Sequence, residues 1–436
     1  MSKPTAMSTA WTGLLLAALA LPYGPSAAAP QDADSSGLGR DCRAVDAAVI
    51  DDQDPAVLFR GPPRRPLTPE EADRIIAEVT GIIARSPSAP PSRLLGTRLP
   101  KSVDLRDELP PVAIQGDGGS NLCVTFATGY YQATQSLKHF RHPAWDLKNP
   151  EHQVSVAFVA SQGGTGFTDY VYRVLQENGT VDTAEMPFDS KIPVVDNQPT
   201  PDQFEAAKPY RIGPSATLWN NGGGSHNKPF DNPIENARAW LADGFVLSCS
   251  VDPDAKYGFP GGCVPPVAFF DPPTQSNFWP GHGVALVGYH DQIHPAGQGA
   301  EHRGGFLMVN SHGPRWNGDM NGYLWLSYAY VRRYVGDCSI MVPGGPAIPE
   351  VTGYTHGNQE GQPTVIITGT NFGSLRRLAG VEFNGVAAGK VWRFTNDAIE
   401  VTPQSPIKAG PLVVYNWEGT RSKAIRFTPP RISTRK

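Results

Sequence analysis

Three stretches of this chain carry residue types suited to nucleophilic chemistry. "QGDGGSNLCVTFAT" (115–128) sets a Gln, a glycine-rich turn and a Cys ahead of an apolar run. "GHGVALVGYHD" opens an apolar run with His282, and "FLMVNSHGPRWNGDMNGYLWLSY" closes one with Asn310. A thiol is a weak nucleophile at its free pKa, and a helix N-terminus or a nearby imidazolium stabilises the thiolate. The imidazole in turn needs a partner that fixes one ring nitrogen, which a side-chain amide supplies. An oxyanion needs two donors, and a Gln amide with the backbone N–H of the Cys provides them. Cys123, His282, Asn310 and Gln115 fit these four roles, and the chemistry asks for no cofactor. Taken singly, each has a plainer reading: a buried small hydrophobe, a structural imidazole, a turn amide. The remaining His and Cys residues show no metal-ligand spacing.

These residues need elements to hold them. The sequence has 436 residues, a length that suggests two or three domains, with 40% apolar residues. Its 43 prolines and 46 glycines point to many turns and few long helices. The formal charge of −4, with no long run of one sign, argues against a nucleic-acid partner. Residues 1–28 read as a secretory signal: Lys3 at the start, an apolar run over 10–21, and Ser26-Ala27-Ala28 before the cut. That run is too short for the ~20 residues a spanning helix needs, so no retained membrane span is expected. Export makes disulfides persistent. Of five cysteines, one is left unpaired within the chain. If Cys123 is the free thiol, the other four allow three connectivities. One of them joins Cys249 to Cys263 and Cys42 to Cys338.

Residues 29–97 form an N-terminal segment with one helical pattern, "LTPEEADRIIAEVTGIIAR". Thr68 and Glu71 make a capping box, and Pro69 suits the first turn. Ala72, Ile75, Ile76, Val79, Ile82 and Ile83 line one face. "SPSAPPSR" then reads as a linker. Residues 98–345 show helix-like material first and strands later, which predicts an α+β domain. From 346 to 430, short β-rich runs such as "TVIITGTNFG" and "GPLVVYNWEG" alternate with Gly and Asn turns, as in a small β-sandwich. Residues 431–436 read as a frayed tail.

The central region resembles the papain-like cysteine peptidases, especially secreted bacterial ones. "LPKSVDLRDELPPVAIQG" is similar to the mature N-terminus of that family and "CVTFAT" to its nucleophile helix; the His282 and Asn310 stretches are similar to its two later motifs. The resemblance implies a two-lobed domain, a helical lobe plus a β-barrel-like lobe, that hydrolyses peptide bonds. In that reading Cys123 is the nucleophile, His282 the base and acid, Asn310 the orienter and Gln115 the oxyanion donor. It also implies that Gly166 lies in the substrate cleft, against the plain reading of a turn glycine. His312 stands where the family usually has a Trp that covers the Asn–His bond.

The spacing departs from the family. Six residues, not four, separate "QG" from Cys123; read without a gap, Asn121 takes the nucleophile position and the enzyme is dead. An insertion is tolerated more cheaply in a Gly-rich loop than inside a helix, which favours Cys123. The C-terminal region resembles the immunoglobulin-like IPT/TIG domains, which implies a sandwich that binds a surface, a glycan or a protein, or simply supports its neighbour. The N-terminal helix is either part of a prosegment or a permanent part of the domain. The expected protein is thus a secreted cysteine endopeptidase, extracellular or periplasmic and bacterial, acting on a peptide or protein. The alternatives are a pseudopeptidase that binds without cutting and a bond-forming transamidase.

Overall fold

The computed structural model describes residues 48–49, 64–85, 98–116, 122–220, 233–251, 269–270, 281–295, 303–317, 320–345, 348–373, 380–404, 408–416 and 420–429. The signal at 1–28, Cys42, Asn121, Cys263 and the tail at 431–436 lie outside them.

The first helix, α1 (Pro69–Arg85), starts where the capping box places it. Thr68 N–H donates to Glu71 Oε2, and Glu71 N–H donates to Thr68 Oγ1. Its inner face buries Ala72, Ile75, Val79 and Ile82, while Ile76 and Ile83 flank that face half-buried. Strand β1 (Ser102–Asp104) follows. The helix that carries Cys123 is a composite: α2 (Leu122–Thr125), a π-helical stretch at Phe126–Ala133, and α3 (Thr134–Phe140). Next come α4 (Val156–Ser161) and α5 (Thr168–Glu177), on either side of the "QGGTGF" turn. The capping box of α6 (Pro201–Ala207) is Thr200 with Gln203.

The remaining elements of this region are mostly strands: β2 (Ile212–Asn220), α7 (Pro233–Ala242), β3 (Leu247–Val251), β4 (Phe269–Phe270), β5 (His282–His290), β6 (Gly305–Val309), β7 (Tyr323–Ser327), α8 (Tyr328–Tyr334) and β8 (Val335–Pro343). They make one eight-stranded sheet in the order β2-β8-β3-β5-β6-β7-β4, with β1 added to β5. All ladders are antiparallel except β4 with β7. Helices and antiparallel strands are thus segregated along the chain, as the α+β reading expects. β5 is buried over Gly283–Tyr289 and β6 over its whole length, which explains their unbroken apolar runs.

The disulfide is not the local one. Cys249 is bonded to Cys338. The two face each other in register on neighbouring strands β3 and β8, so sheet pairing and not loop closure brings the sulfurs together. This overturns both pairings considered above, Cys249–Cys263 and Cys42–Cys338. Cys123 is a free, buried thiol, as expected.

From Glu350 on, every helix or strand among the described residues is a strand. Strands β9 (Glu350–Gln359), β10 (Gln362–Thr370), β14 (Ala398–Val401) and β13 (Val391–Phe394) form one antiparallel sheet in that order. β12 (Val386–Ala387), β11 (Gly380–Phe383), β15 (Gly410–Tyr415) and β16 (Ile425–Phe427) form the second. Alternate residues, among them Val365 and Ile367, Ile399 and Val401, Leu412 and Val414, point into one apolar core, as the two-residue period of a half-buried strand requires. Strands β9, β12 and β13 are additions to the sequence reading. β9, "EVTGYTHGNQ", is so polar that its pattern carries no strand signal.

Candidate active site

Cys123 is the second residue of the composite helix, and its side chain is 8% exposed. Burial raises the thiol above its ordinary pKa; hydrogen bonding from the backbone at Gly283, then Val124 and Cys123 itself, pulls the other way. The Gly283 contact is the geometric link, because Gly283 directly follows His282 at the start of β5. This junction demands a glycine: a Cβ at Gly283 would lie 2.8 Å from Val124 Cα and 2.9 Å from Val124 N. Strand and helix touch main chain to main chain at Gly283 and Val124, the residues that directly follow His282 and Cys123.

His282 is held from its far side. Its Nε2 is 2.9 Å from Asn310 Oδ1. Asn310 sits just past β6, and its Oδ1 also accepts the N–H of Ser311 at 2.8 Å. With two donors aimed at Oδ1, the imidazole carries its proton on Nε2, which leaves Nδ1 as the base. Burial pushes the imidazole below its usual pKa, and the bond to Asn310 offsets part of that shift. The Asn310 Nδ2 is buried without a partner among the described residues. Such a donor costs about 1–3 kcal/mol, a penalty that functional sites tolerate and ordinary cores avoid.

Gln115 reaches the same place by another route. Its N–H donates to Ser311 O at 2.8 Å, and Gly313 N–H donates to Ala113 O at 2.8 Å. Residues 113–115 thereby lie antiparallel to 311–313. Ser311 Oγ donates to Gln115 Oε1 at 2.7 Å, so the amide's Nε2 is turned away from Ser311. The two extra residues before Cys123 leave Gln115 attached to the Asn310 segment.

The other two sequence candidates differ in position. The His312 ring stands edge-on to His282, with centroids 5.4 Å apart, and is itself exposed. Burial of its inner side, then the neighbouring His282, lower its pKa. Gly166 lies in the bend before α5 with φ +79°, a left-handed conformation that favours glycine. The turn leading to it is tied to the nucleophile helix by Thr125 Oγ1, which donates to Gly164 O at 2.6 Å. Beside Gly166, Phe167 is strongly exposed, as Ile114 is beside Gln115.

Sequence reasoning missed Ser311, Gly283 and Tyr131. Ser311 adjoins Asn310, so its place was visible although its bond to Gln115 was not. Gly283 and Tyr131 act through main-chain contacts that no spacing encodes.

No protein-family model and no curated protein matches the sequence. Among solved structures, the chain is similar to xylellain, a cysteine protease from Xylella fastidiosa, with 21% identity and a TM-score of 0.43, over 59% of this chain and 91% of that one. It is similar to digestive procathepsin L2 proteinase from Tenebrio molitor larval midgut, with 20% identity and a TM-score of 0.41, over 57% and 69%. It is also similar to the Amb a 11 cysteine protease of ragweed pollen in its proform, with 19% identity and a TM-score of 0.39, over 64% and 77%.

Proposed function

We propose that the protein is a cysteine peptidase of the papain-like kind that cuts peptide bonds through Cys123, His282, Asn310 and Gln115. One observation carries this reading. The free thiol lies at the start of a helix that Gly283, the residue after an imidazole, meets main chain to main chain at Val124, and that imidazole is held through Nε2 by a side-chain amide.

Burial pushes the thiol up and the imidazole down, which favours the neutral pair over the ionic one at rest. The proton of the thiol passes to His282 Nδ1 as sulfur attacks the scissile carbonyl. The carbonyl oxygen takes the negative charge and is met by Gln115 Nε2 and the Cys123 N–H. Collapse breaks the C–N bond, and His282 returns the proton to the leaving amine. Water, deprotonated by His282, then cleaves the thioester and restores the thiol. Gly166 and His312 border the cleft for an extended peptide. The secretory signal places the enzyme outside the cytosol, and residues 346–430 act as an immunoglobulin-like module that binds a surface, glycan or protein.

A second reading is favoured by the deep burial of Cys123: a binding protein with a silent site. Labelling with a peptidyl epoxide, mapped by mass spectrometry, separates the two. Catalysis predicts label on Cys123 and its loss in His282→Ala, together with a fall of at least about 10³-fold in peptide hydrolysis. A folded protein that takes no label and cuts no peptide sinks the catalytic reading.

A further inference from the structure

We propose that Tyr131 is a positioning residue for this reaction: its hydroxyl pins the segment carrying Gln115 to the segment carrying Asn310, and so sets the oxyanion donor relative to the thiol and imidazole. The proposal rests on the peptidase reading above.

Tyr131 lies in the π-helical stretch of the helix that begins at Cys123, and it is 1% exposed. Its hydroxyl accepts the N–H of Ala113 at 2.9 Å and donates to the carbonyl of Asn310 at 2.9 Å. Both partners are main-chain groups in functional segments. Ala113 is two residues before Gln115, and Asn310 is the orienting residue itself. The hydroxyl therefore sits at the end of the short antiparallel pairing of 113–115 with 311–313, where one side of the oxyanion site meets the support of the imidazole. The next ring along repeats the motif: Tyr130 Oη lies 3.1 Å from Pro111 O and is also in reach of Gln153 Oε1. A π-helical turn is rare and tends to mark functional places. Here it directs two successive rings at one segment.

The need for such a pin is written in the sequence. Five residues, Asp117 to Asn121 by number, are small or polar and include two glycines. Glycine restricts a backbone least of all residues, and this stretch is what joins Gln115 to Cys123 in sequence. Tyr131 supplies a second path between them through the helix itself. Burial holds its phenol well above the usual pKa, so the hydroxyl stays a donor at every working pH. Replacing it with Phe keeps the ring and strands two main-chain groups, an Ala113 N–H and an Asn310 carbonyl, without this partner.

The test compares two reactions of the full-length protein. Peptide hydrolysis needs the oxyanion donor, whereas alkylation of Cys123 by iodoacetamide needs only the thiolate. Loss of one oxyanion donor costs about 10²–10³ in kcat, and a displaced donor costs part of that. Tyr131→Phe is expected to lower kcat about 10- to 100-fold, with KM and the alkylation rate within about twofold of wild type. Hydrolysis and alkylation falling in parallel would mean mere structural support and overturn the role, as would no change in either. If Tyr131→Phe does not fold, Ser311→Ala asks the same question, because it frees Gln115 Oε1 and leaves the helix intact. It must show the same split, and an unchanged kcat overturns the proposal. A wild-type protein that hydrolyses no peptide overturns the peptidase reading and this role together, whereas an active wild type with an unaffected Tyr131→Phe overturns the role alone.

Discussion

The helix-and-sheet region and the C-terminal sandwich are built on different terms. The apolar cluster of the sandwich is aliphatic or Phe, and its buried polar side chains, Thr364, Asn396, Asn416 and Ser422, lie scattered around it. The nucleophile helix buries Thr125, Thr128, Gln132, Thr134 and Gln135 among its apolar residues. Each of these makes a specific bond, whereas the hydroxyl of Ser136 on the same helix is buried with no partner among the described residues. Gln132 Nε2 donates to Val246 O and Ser339 O, both at 2.8 Å, while its Oε1 accepts from Tyr172 Oη at 2.8 Å. Gln135 Nε2 bridges Glu108 Oε2 and Gly244 O, and Glu108 pairs with His139 at 2.8 Å. An apolar core asks only for volume and pattern, whereas a polar one fixes the partner of every group. The region that must hold a thiol, an imidazole and two amides in register is the one that uses the second kind.

The largest test of this division removes whole segments. The buried apolar clusters of the first region draw on residues 72–342, and that of the sandwich on 351–427. Helix α1 belongs to the former. Ile75, Val79 and Ile82 are each worth about 1.5–3 kcal/mol on burial, so their sum approaches the 5–15 kcal/mol by which a whole domain is stable. Asp73 also pairs with Arg141 at 2.5 Å, and Arg64 donates to the Ala242 carbonyl. Deleting 64–85 is expected to abolish soluble, cooperatively folding protein, while deleting 346–436 leaves peptidase activity within about twofold. A removable prosegment would give the opposite result for the first deletion, an active enzyme, and N-terminal sequencing of the secreted form would then begin near Leu99.

The next test keeps every segment and swaps single side chains without changing their volume. Gln132→Met preserves size but removes three buried bonds, for an expected loss of about 2–4 kcal/mol. Ile367→Leu, buried in the sandwich, is expected to cost under about 1.5 kcal/mol. Denaturant unfolding followed by Trp fluorescence measures both. Equal costs would mean that the polar network is ordinary filler and that the contrast fails.

Acid and base titration sharpens the same contrast. His282 and Cys123 are titratable groups in the first region's interior, and the sandwich core has no counterpart among its buried members. Burial lowers the imidazole, so the active, neutral base forms as pH rises through a value below its ordinary ~6.5. Burial raises the thiol, so a neutral resting pair persists past the ordinary ~8.5. A kcat/KM profile is therefore expected to be a broad bell, with its acid limb below ~6.5 and its alkaline limb above ~8.5. A thiol that instead alkylates through an ionisation in acid would show a resting thiolate–imidazolium pair.

How much of this could be read from the chain follows the same division. In the sandwich, a two-residue period announced most strands, and the polar β9 and the short β12 and β13 escaped it. In the first region, His282 and Asn310 were legible because buried strands make long apolar runs that end abruptly at a polar residue. The capping box at Thr68 was legible because it is local. The Cys249–Cys338 bridge was not, since it spans 89 residues and depends on strand order. The Tyr131 hydroxyl bonds were hidden for the same reason, a buried tyrosine being indistinguishable in sequence from plain core.

The smallest effect is expected at His312, the one candidate whose ring faces solvent. Its ring stands edge-on to His282, whose Nε2 meets Asn310 Oδ1. Water that reaches such a bond competes for both partners, and a bond shielded from water is electrostatically stronger. A Trp has the area to shut that side, and Trp316, 6.2 Å away, gives it an aromatic neighbour. His312→Trp should hold the imidazole in its productive orientation for more of the time and raise kcat a few-fold, with little change in KM if peptide binding is untouched. The acid limb separates this from a pure solvent effect. The replacement removes an imidazole that is itself lowered by His282 and deepens burial of His282, which pushes the His282 pKa further down. A faster enzyme whose acid limb moves to lower pH means that exclusion of water dominates. One that is no faster, with the limb unmoved, means that Asn310 and the buried junction at Gly283 already fix the imidazole without any cover.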